Sequence, residues 1–294
     1  MTGRREARFA WALLAPLVIV LTLVAVGPLV ASVWESFHRH DLRMPWLDRP
    51  WVGLANYVTA AADPRLLDAL AHTFFFAIVS VALELLCGLA LAMALDSVRR
   101  GRGAARVIVL MPWALPTVVA ALVWRFMFET GTGVVGALGI PGLQRAWLSD
   151  PVFAWVPILL ADTWKSTPFV TLLLLTGLQA IDPALHEAAR MDGAGPWRRF
   201  TTITLPLLRP ALIVAGIFRM LDAFRVFDLV YVLTGGGPGT ATEVVSLYAF
   251  TTLFQDLRFG YGSALTVITF GITFVIALAY IRALTSTNAE AGRV

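Results

Sequence analysis

From Phe9 to Trp34 the chain carries no charged side chain. A run of about 20 apolar residues is what a helix needs to cross the hydrocarbon of a bilayer. Inside hydrocarbon every backbone N–H and C=O must be paired within the segment, so such a run is a helix. Arg4, Arg5 and Arg8 precede it, as basic residues precede a signal peptide. Its apolar core exceeds the roughly 7–15 residues of a signal h-region, so it reads as an uncleaved first span. Five further runs follow, at Thr73–Leu95, Val107–Trp124 (extending to about 128), Phe153–Leu178, Pro210–Leu233 and Phe259–Ile281. The spacing predicts an all-α, polytopic membrane helix bundle of six transmembrane helices, at about 9–34, 73–95, 107–128, 153–178, 210–233 and 259–281. Residues 1–294 are read as one transmembrane domain, with no stretch left for a soluble one.

Composition agrees. Hydrophobic residues make up 58% and charged residues 14%, too little polar surface to clothe a soluble globule of this size. The net charge of +4 comes from arginines clustered beside the apolar runs, which is a topology signal rather than a nucleic-acid footprint. Placing Arg4, Arg5, Arg8, Arg99, Arg100, Arg102, Arg106, Arg190, Arg198, Arg199, Arg209, Arg282 and Arg293 on one side leaves Arg39, Arg43, Arg49, Arg65, Arg145 and Arg258 on the other. The positive-inside rule then puts both termini in the cytoplasm. The single cysteine, Cys87, lies in an apolar run and forms no internal disulfide.

Loops between membrane helices are mostly short, but 182–209 is long and patterned. Asp182-Pro183 is a helix start, with Asp as cap and Pro in the first turn. Good helix formers fill Ala184 to Met191, and Asp192-Gly193 then breaks the helix. Pro196 can open a second short helix through Ile203, with Leu205-Pro206 ending it and Pro210 starting the next span. This predicts a helix–turn–helix on the membrane surface exposing Ala188, Ala189 and Ala194, where small side chains admit a partner's backbone. An amphipathic helix that touches only lipid headgroups fits the same pattern.

The run Glu187-Ala188-Ala189-Arg190-Met191-Asp192-Gly193-Ala194, followed by Phe200, Ile203, Leu205-Pro206 and Pro210, resembles the EAA loop of ABC importer permeases. With Asp-Gly-Ala, Thr-Leu-Pro and the later Leu233 to Pro238, it is similar to the carbohydrate-uptake group, which serves maltose, trehalose, glycerol-phosphate and related solutes. The resemblance implies that Glu187, Ala188, Ala189, Met191, Asp192, Gly193 and Ala194 form a cytoplasmic coupling helix seated on an ATPase subunit. It also implies a second homologous permease, two copies of the ATPase, an extracytoplasmic solute-binding protein, a sugar substrate and a bacterial plasma-membrane location. The Gly235–Gly239 stretch is expected beside the binding protein. No nucleic acid is expected as partner.

ATP chemistry is expected elsewhere. A phosphate-binding loop needs glycine-rich backbone followed by Lys-Ser or Lys-Thr. The only lysine, Lys165, follows Trp164 inside a span. The chain is therefore read as non-enzymatic and without a cofactor or metal of its own, ATP and magnesium being held by partner subunits. Its four histidines, His38, His40, His72 and His186, form no metal-binding helix pattern, and no Gly-x-Ser-x-Gly elbow appears.

Ionisable groups inside a span are costly and face a cavity or a partner. Asp162 and Lys165 share a helix face, and Arg219, Asp222 and Arg225 repeat the spacing, with Asp228 beyond. Trp164, Phe169, Phe224 and Phe227 add aromatic faces beside them. The segments that contact solute in the resembled family match Lys165, Ser166, Phe169, Arg219, Ala223, Val226 and Asp228 here, and Asp222 belongs with them. Ala223 and Val226 stand where the maltose-type pattern has asparagines, so the sugar does not transfer. A disaccharide is the first expectation, ahead of glycerol-phosphate or an oligosaccharide. The pairs Asp162–Lys165 and Arg219–Asp222 serve equally as ion pairs that fix helix packing. Glu84 is expected to hold the second span against the third or fifth, paired with Arg125. Pro112, Pro116 and Pro168 can kink their helices. An ion-coupled secondary transporter is the alternative function, since intramembrane Asp and Arg suit ion relays. It would normally show an internal repeat, and none is seen.

Overall fold

The structure, a computed structural model, describes residues 2–98, 100–140 and 142–291, with side chains described from residue 11 to residue 280 within those ranges and at Arg282. Of the arginines that orient the spans, Arg99 and Arg293 lie outside the described residues, as do the side chains of Arg4, Arg5 and Arg8. Every regular element among the described residues is a helix. Five helices are long and apolar enough to cross a membrane, and a sixth candidate is a pair bent by 87°.

The chain divides into two compact units. The first holds residues 1–66 and 248–272. Here α1 (Thr2–Leu21) runs through a π-helical turn at Thr22–Val26 into α2 (Gly27–Ser36), which carries the wholly apolar first span. A short helix, α3 (Ala55–Ala61), follows. The segment between them is held by an antiparallel bridge from His38 to Trp51 and by Asn56, whose amide donates to the carbonyls of Ser36 (2.8 Å) and His38 (3.0 Å). The Gly260 N–H donates to His40 O at 2.9 Å, and a Cβ on Gly260 would lie 2.1 Å from His38 O. Only glycine admits that approach.

Asp63 ties this unit together. It accepts the hydroxyls of Tyr248 and Tyr261, each at 2.5 Å, and the Arg65 N–H at 3.0 Å. Burial raises its carboxyl pKa, but these hydrogen bonds outweigh it and hold the group below its ordinary value. Nearby, Asp41 is lowered to about 2, chiefly by its side-chain hydrogen bond with Arg43.

The second unit, residues 67–247 and 273–294, carries the polar spans. It takes in most of α4 (Pro64–Ser97), then α5 (Arg102–Ala114), α6 (Thr117–Met127), the short α7 (Val134–Ala137) and α8 (Trp155–Gln179). Then come α9 (Pro183–Met191), α10 (Pro196–Arg199), α11 (Leu205–Ala223) and α12 (Asp228–Leu233). Two last helices, α13 (Val245–Phe250) and α14 (Phe259–Ala291), are shared with the first unit. Its core sets Ala92 and Leu95 of α4 against Val170, Leu174 and Leu175 of α8 and Leu208 and Ala215 of α11. Lipid tails are as apolar as leucine, so small residues that let helices approach carry much of the packing. Gly88 and Gly177 do so here. A Cβ on Gly88 would lie 2.6 Å from Val170 Cγ1, and one on Gly177 would lie 2.8 Å from Ala211 Cβ.

Three element boundaries differ from the sequence reading. The third apolar run is divided at Leu115–Pro116, where both residues take extended ψ values near 140°. A residue before proline is pushed out of the α region, so Pro116 opens a new helix while Pro112 stays inside α5. In the fifth span, by contrast, Leu205-Pro206 ends nothing. A π turn at Phe200–Thr204, closed by Leu205 N–H on Phe200 O, lets the helix continue from Pro196 to Ala223. Pro206 sits where no α-helical donor is required. The far end of that span is instead broken: α11 stops at Ala223 and α12 begins at Asp228.

Candidate polar pathway and surface coupling segment

The break between α11 and α12 is where the site forms. The last turn of α11 tightens, with Arg225 N–H on Asp222 O and Val226 N–H on Ala223 O, both at 3.1 Å. Phe227 then leaves helical geometry (φ −140°, ψ −65°), and Ser246 Oγ donates to the freed Val226 O at 2.8 Å. Non-helical backbone at membrane depth is tolerated only where it is buried in protein or lines a cavity. Here it lines one of about 150 Å³. Seven of the eight residues expected along the solute pathway meet in that cavity: Lys165, Ser166, Arg219, Asp222, Ala223, Val226 and Asp228. Thr117, at the start of α6, Arg225 and Phe227 join them. The volume is room for a few waters at about 30 Å³ each, so these residues form one wall.

Behind the wall lies a clasp. The Arg219 guanidinium, 5% exposed, meets the wholly buried Glu84 edge to edge, Nε to Oε2 at 2.5 Å and Nη2 to Oε1 at 2.8 Å. It also reaches Asp162 Oδ2 at 3.3 Å and donates through Nη1 to Asp222. One cation thus joins carboxylates from α4, α8 and its own helix. Arg225 lies 3.6 Å from the other oxygen of Asp222. An ion pair inside a membrane protein holds only when its remaining hydrogen-bonding capacity is met, and the fork of Arg219 is spent on three carboxylates.

Several expected pairings are replaced. Glu84 pairs with Arg219, not with Arg125. The latter sits in the last turn of α6 and donates to Val232 O at 3.0 Å, satisfying a carbonyl near the end of α12. Asp162 turns to Arg219 rather than to Lys165, which has no ion-pair partner among the described residues. The aromatic side chains also disperse. Phe169 packs on Trp113 and Phe218 with centroids 6.0 and 6.3 Å away, outside the cavity lining. Trp164 stands against Trp124, and Phe224 is fully buried with its edge on Phe74. Only Phe227 of the four reaches the cavity. Glu84, the anchor of the clasp, was weighed in the sequence as a packing residue alone. The signal that could have found its partner was Arg219, an arginine inside the fifth span, one of the two spans that Glu84 is expected to face.

The first part of the 182–209 segment, through Ala194, forms as its punctuation requires. Asp182 accepts the Ala184 N–H at 2.9 Å, capping α9. Gly193 has φ +77°, and Ala194 N–H closes on Ala189 O at 2.9 Å, a glycine-terminated helix end. Glu187, Ala188, Asp192 and Gly193 are exposed, Met191 is 88% exposed, and Ala189 and Ala194 are half-buried. Glu187 and Arg190 also border a cavity of about 380 Å³ with Asp96 and Ser97 of α4 and Arg199.

A helical chain with several apolar spans, a polar cavity at a broken helix and an exposed surface helix belongs to the class of multi-pass membrane transport proteins. Residues 84–290 match the family described as binding-protein-dependent transport system inner membrane component, and the chain belongs to that family. It is 42% identical over 283 residues to the trehalose/maltose transport system permease protein MalF of Thermococcus litoralis, spanning 95% of this chain and 94% of that protein. It is 40% identical to the trehalose transport system permease protein SugA of Mycobacterium tuberculosis, spanning 96% of this chain and 91% of the relative. The sulfoquinovosyl glycerol transport system permease protein SmoG of Agrobacterium fabrum is 38% identical, with 92% and 88% covered. A chain of a bacterial ABC transporter involved in the import of the acidic polysaccharide alginate has the same fold, with a TM-score of 0.82, 24% identity and 96% of each chain covered. The chain is a permease, and its family decides against the secondary-transporter alternative.

Proposed function

We propose that this chain forms half of the translocation pathway of an ATP-driven carbohydrate importer, with both termini in the cytoplasm. The observation that carries the reading is the polar wall at the α11–α12 break, in a chain whose relatives are named for trehalose and maltose. A sugar must exchange the hydrogen bonds of its hydroxyls with water for equivalents in the membrane, and Lys165, Ser166, Asp222 and Asp228 supply them. A second, homologous permease provides the opposing wall. ATP and magnesium are held by two copies of a cytoplasmic ATPase, on which Glu187, Ala188, Ala189, Met191, Asp192, Gly193 and Ala194 dock. A loaded extracytoplasmic binding protein engages the outer face and favours closure of the ATPase pair. The motion reaches the spans through α9 and opens the cavity outward, and the solute enters. Hydrolysis then returns the cavity to face the cytoplasm.

The test is uptake of labelled trehalose and maltose into proteoliposomes holding the assembled transporter. Import that needs internal ATP, the ATPase subunits and the binding protein supports the reading. Import driven by an ion gradient without ATPase subunits would refute it.

A further inference from the structure

We infer that the cavity beside α9 is a binding site for an amine-bearing phosphate group, the chemistry of a phosphoethanolamine headgroup. Arg190 and Arg199 hold its phosphate and Asp96 its ammonium. The site is separate from the polar wall and does not depend on which solute is carried.

The cavity has a volume of about 380 Å³, within the range of about 300–1,000 Å³ that small ligands occupy. It lies where two apolar helices end. Met93, near the end of α4, and Leu178, near the end of α8, both line it, and both helices are long and apolar enough to cross a membrane. The cavity therefore sits at the depth of lipid headgroups, with hydrocarbon on one side and water on the other. Its charges balance, Arg190 and Arg199 against Asp96 and Glu187. They do not satisfy one another, for none of the four has an ion-pair partner among the described residues. Arg199 is half-buried, and its Nε is enclosed with no acceptor among the described residues. A buried donor without an acceptor is costly, and an oxyanion in the cavity meets it. The guanidinium fork matches the oxygens of a phosphate, and Arg190 borders the same space from α9. Two arginines alone would fit any anion, as basic pockets at the ends of spans fit acidic headgroups. Asp96, on α4, decides otherwise. Its carboxylate disfavours a second anionic group and accepts N–H from an ammonium, and Glu187 adds another carboxylate at the rim. A phosphate joined to a primary amine by a short linker presents both charges at once. A simple anion meets two carboxylates there, and a simple cation meets two arginines. Once occupied, the site ties the end of α10 to the end of α4 beside the base of α9.

The full-length chain in detergent is offered two pairs of probes. Soluble O-phosphoethanolamine and inorganic phosphate are read by equilibrium dialysis. Phosphatidylethanolamine and phosphatidylglycerol, at equal content in mixed micelles, are read by native mass spectrometry of retained lipid. The wild type is expected to prefer the amine-bearing member of at least one pair. Preference in the lipid pair alone makes the source a membrane lipid, and preference in the soluble pair alone makes it a free metabolite. Either supports the inference. Arg199→Gln should weaken both members of the preferred pair by about tenfold, the order of one charge-assisted hydrogen bond. Asp96→Asn, at an exposed position, should weaken only the amine-bearing member and so abolish the preference. A merely structural role for Asp96 would lower both members together and leave their ratio unchanged. If Arg199→Gln does not fold, Asp96→Asn decides. No binding in either pair, equal binding of the amine-free members by the wild type, or a preference that Asp96→Asn leaves intact overturns the inference.

Discussion

Arg219 and Glu84 are 135 residues apart in sequence, and their side chains meet edge to edge in the interior of the second unit, at 2.5 and 2.8 Å. The pair ties α4 to α11, and Asp162 extends the tie to α8. Its two ends are not energetically equivalent. Arg219→Gln leaves the two buried carboxylates, Glu84 and Asp162, without their cation, and breaking a buried pair in this way costs about 3–5 kcal/mol. Glu84→Gln leaves Arg219 with two carboxylates still bonded, so it is the milder change. Thermal unfolding of the two variants in nanodiscs should show the larger loss for Arg219→Gln. A larger loss for Glu84→Gln would contradict the three-carboxylate arrangement.

Gly193 separates two kinds of requirement. A Cβ there meets nothing within 4 Å, yet φ is +77°. Gly193→Ala therefore meets no clash and costs about 1–2 kcal/mol of backbone strain. Proline cannot adopt the angle at all, since its ring fixes φ near −65°. Uptake should be reduced but measurable in Gly193→Ala and abolished in Gly193→Pro, with both proteins inserted at wild-type levels on membrane blots. Glu187→Lys reverses the charge on the exposed face of α9 and should likewise abolish uptake. Normal transport by Gly193→Pro or Glu187→Lys would remove the coupling role of this segment.

What the sequence disclosed follows the range of the interactions involved. The apolar runs and the α9 punctuation depend on neighbours a few residues away, so Asp182, Gly193 and the first span could be read directly. The brief helix expected to end at Leu205-Pro206 does not end there, because a local rule, proline as terminator, gives way to the π turn immediately before it. From the sequence Glu84 is expected to hold the second span against the third or fifth, and it is the fifth that it meets, through Arg219 rather than Arg125 of the third. The true partner became identifiable only when packing of Gly88 on Val170 and of Gly177 on Ala211 had set the distances between α4, α8 and α11. Phe169 missed the cavity for a related reason. Residues three or four apart share a helix face, but neighbouring helices decide which part of that face meets water. Lys165 and Ser166 reach the cavity, while Phe169 is taken up by Trp113 and Phe218.

Asp63 predicts an acid-sensitive region in the first unit. Its folded pKa lies below the unfolded carboxylate value of about 3.9. A depressed carboxyl contributes stability that is fully present above the unfolded value and lost as pH falls through the folded one. Below about pH 4, the hydrogen bonds from Tyr248 and Tyr261 should therefore weaken. Amide exchange in α3 and α13, corrected for the intrinsic pH dependence of exchange, should lose protection on acidification. Asp63→Asn should remove that pH dependence. Unchanged protection in the wild type down to about pH 3 would show that the carboxylate does not hold these elements.

Gly88 tests whether helix contact in the second unit is as close as the packing requires. A methyl group placed there would sit 2.6 Å from Val170 Cγ1 and 2.9 Å from Val170 Cβ, inside any ordinary contact distance. Gly88→Ala must push α4 away from α8 or force Val170 off its rotamer, at about 1–3 kcal/mol for an overpacked core. Shortening the opposing side chain should relieve it. Val170→Ala alone opens a small void and is destabilising, but in the Gly88→Ala background it removes the nearest clashing atom, Cγ1, and leaves only the 2.9 Å approach to Cβ to be relieved. The double variant should therefore be more stable than Gly88→Ala alone. The coupling between residues in contact is expected to be about 0.5–3 kcal/mol, read from a double-mutant cycle of thermal midpoints. Strictly additive losses would mean that α4 and α8 are further apart than this contact allows. The clasp through Glu84, one turn away on the same helix, would lose its geometric basis with it.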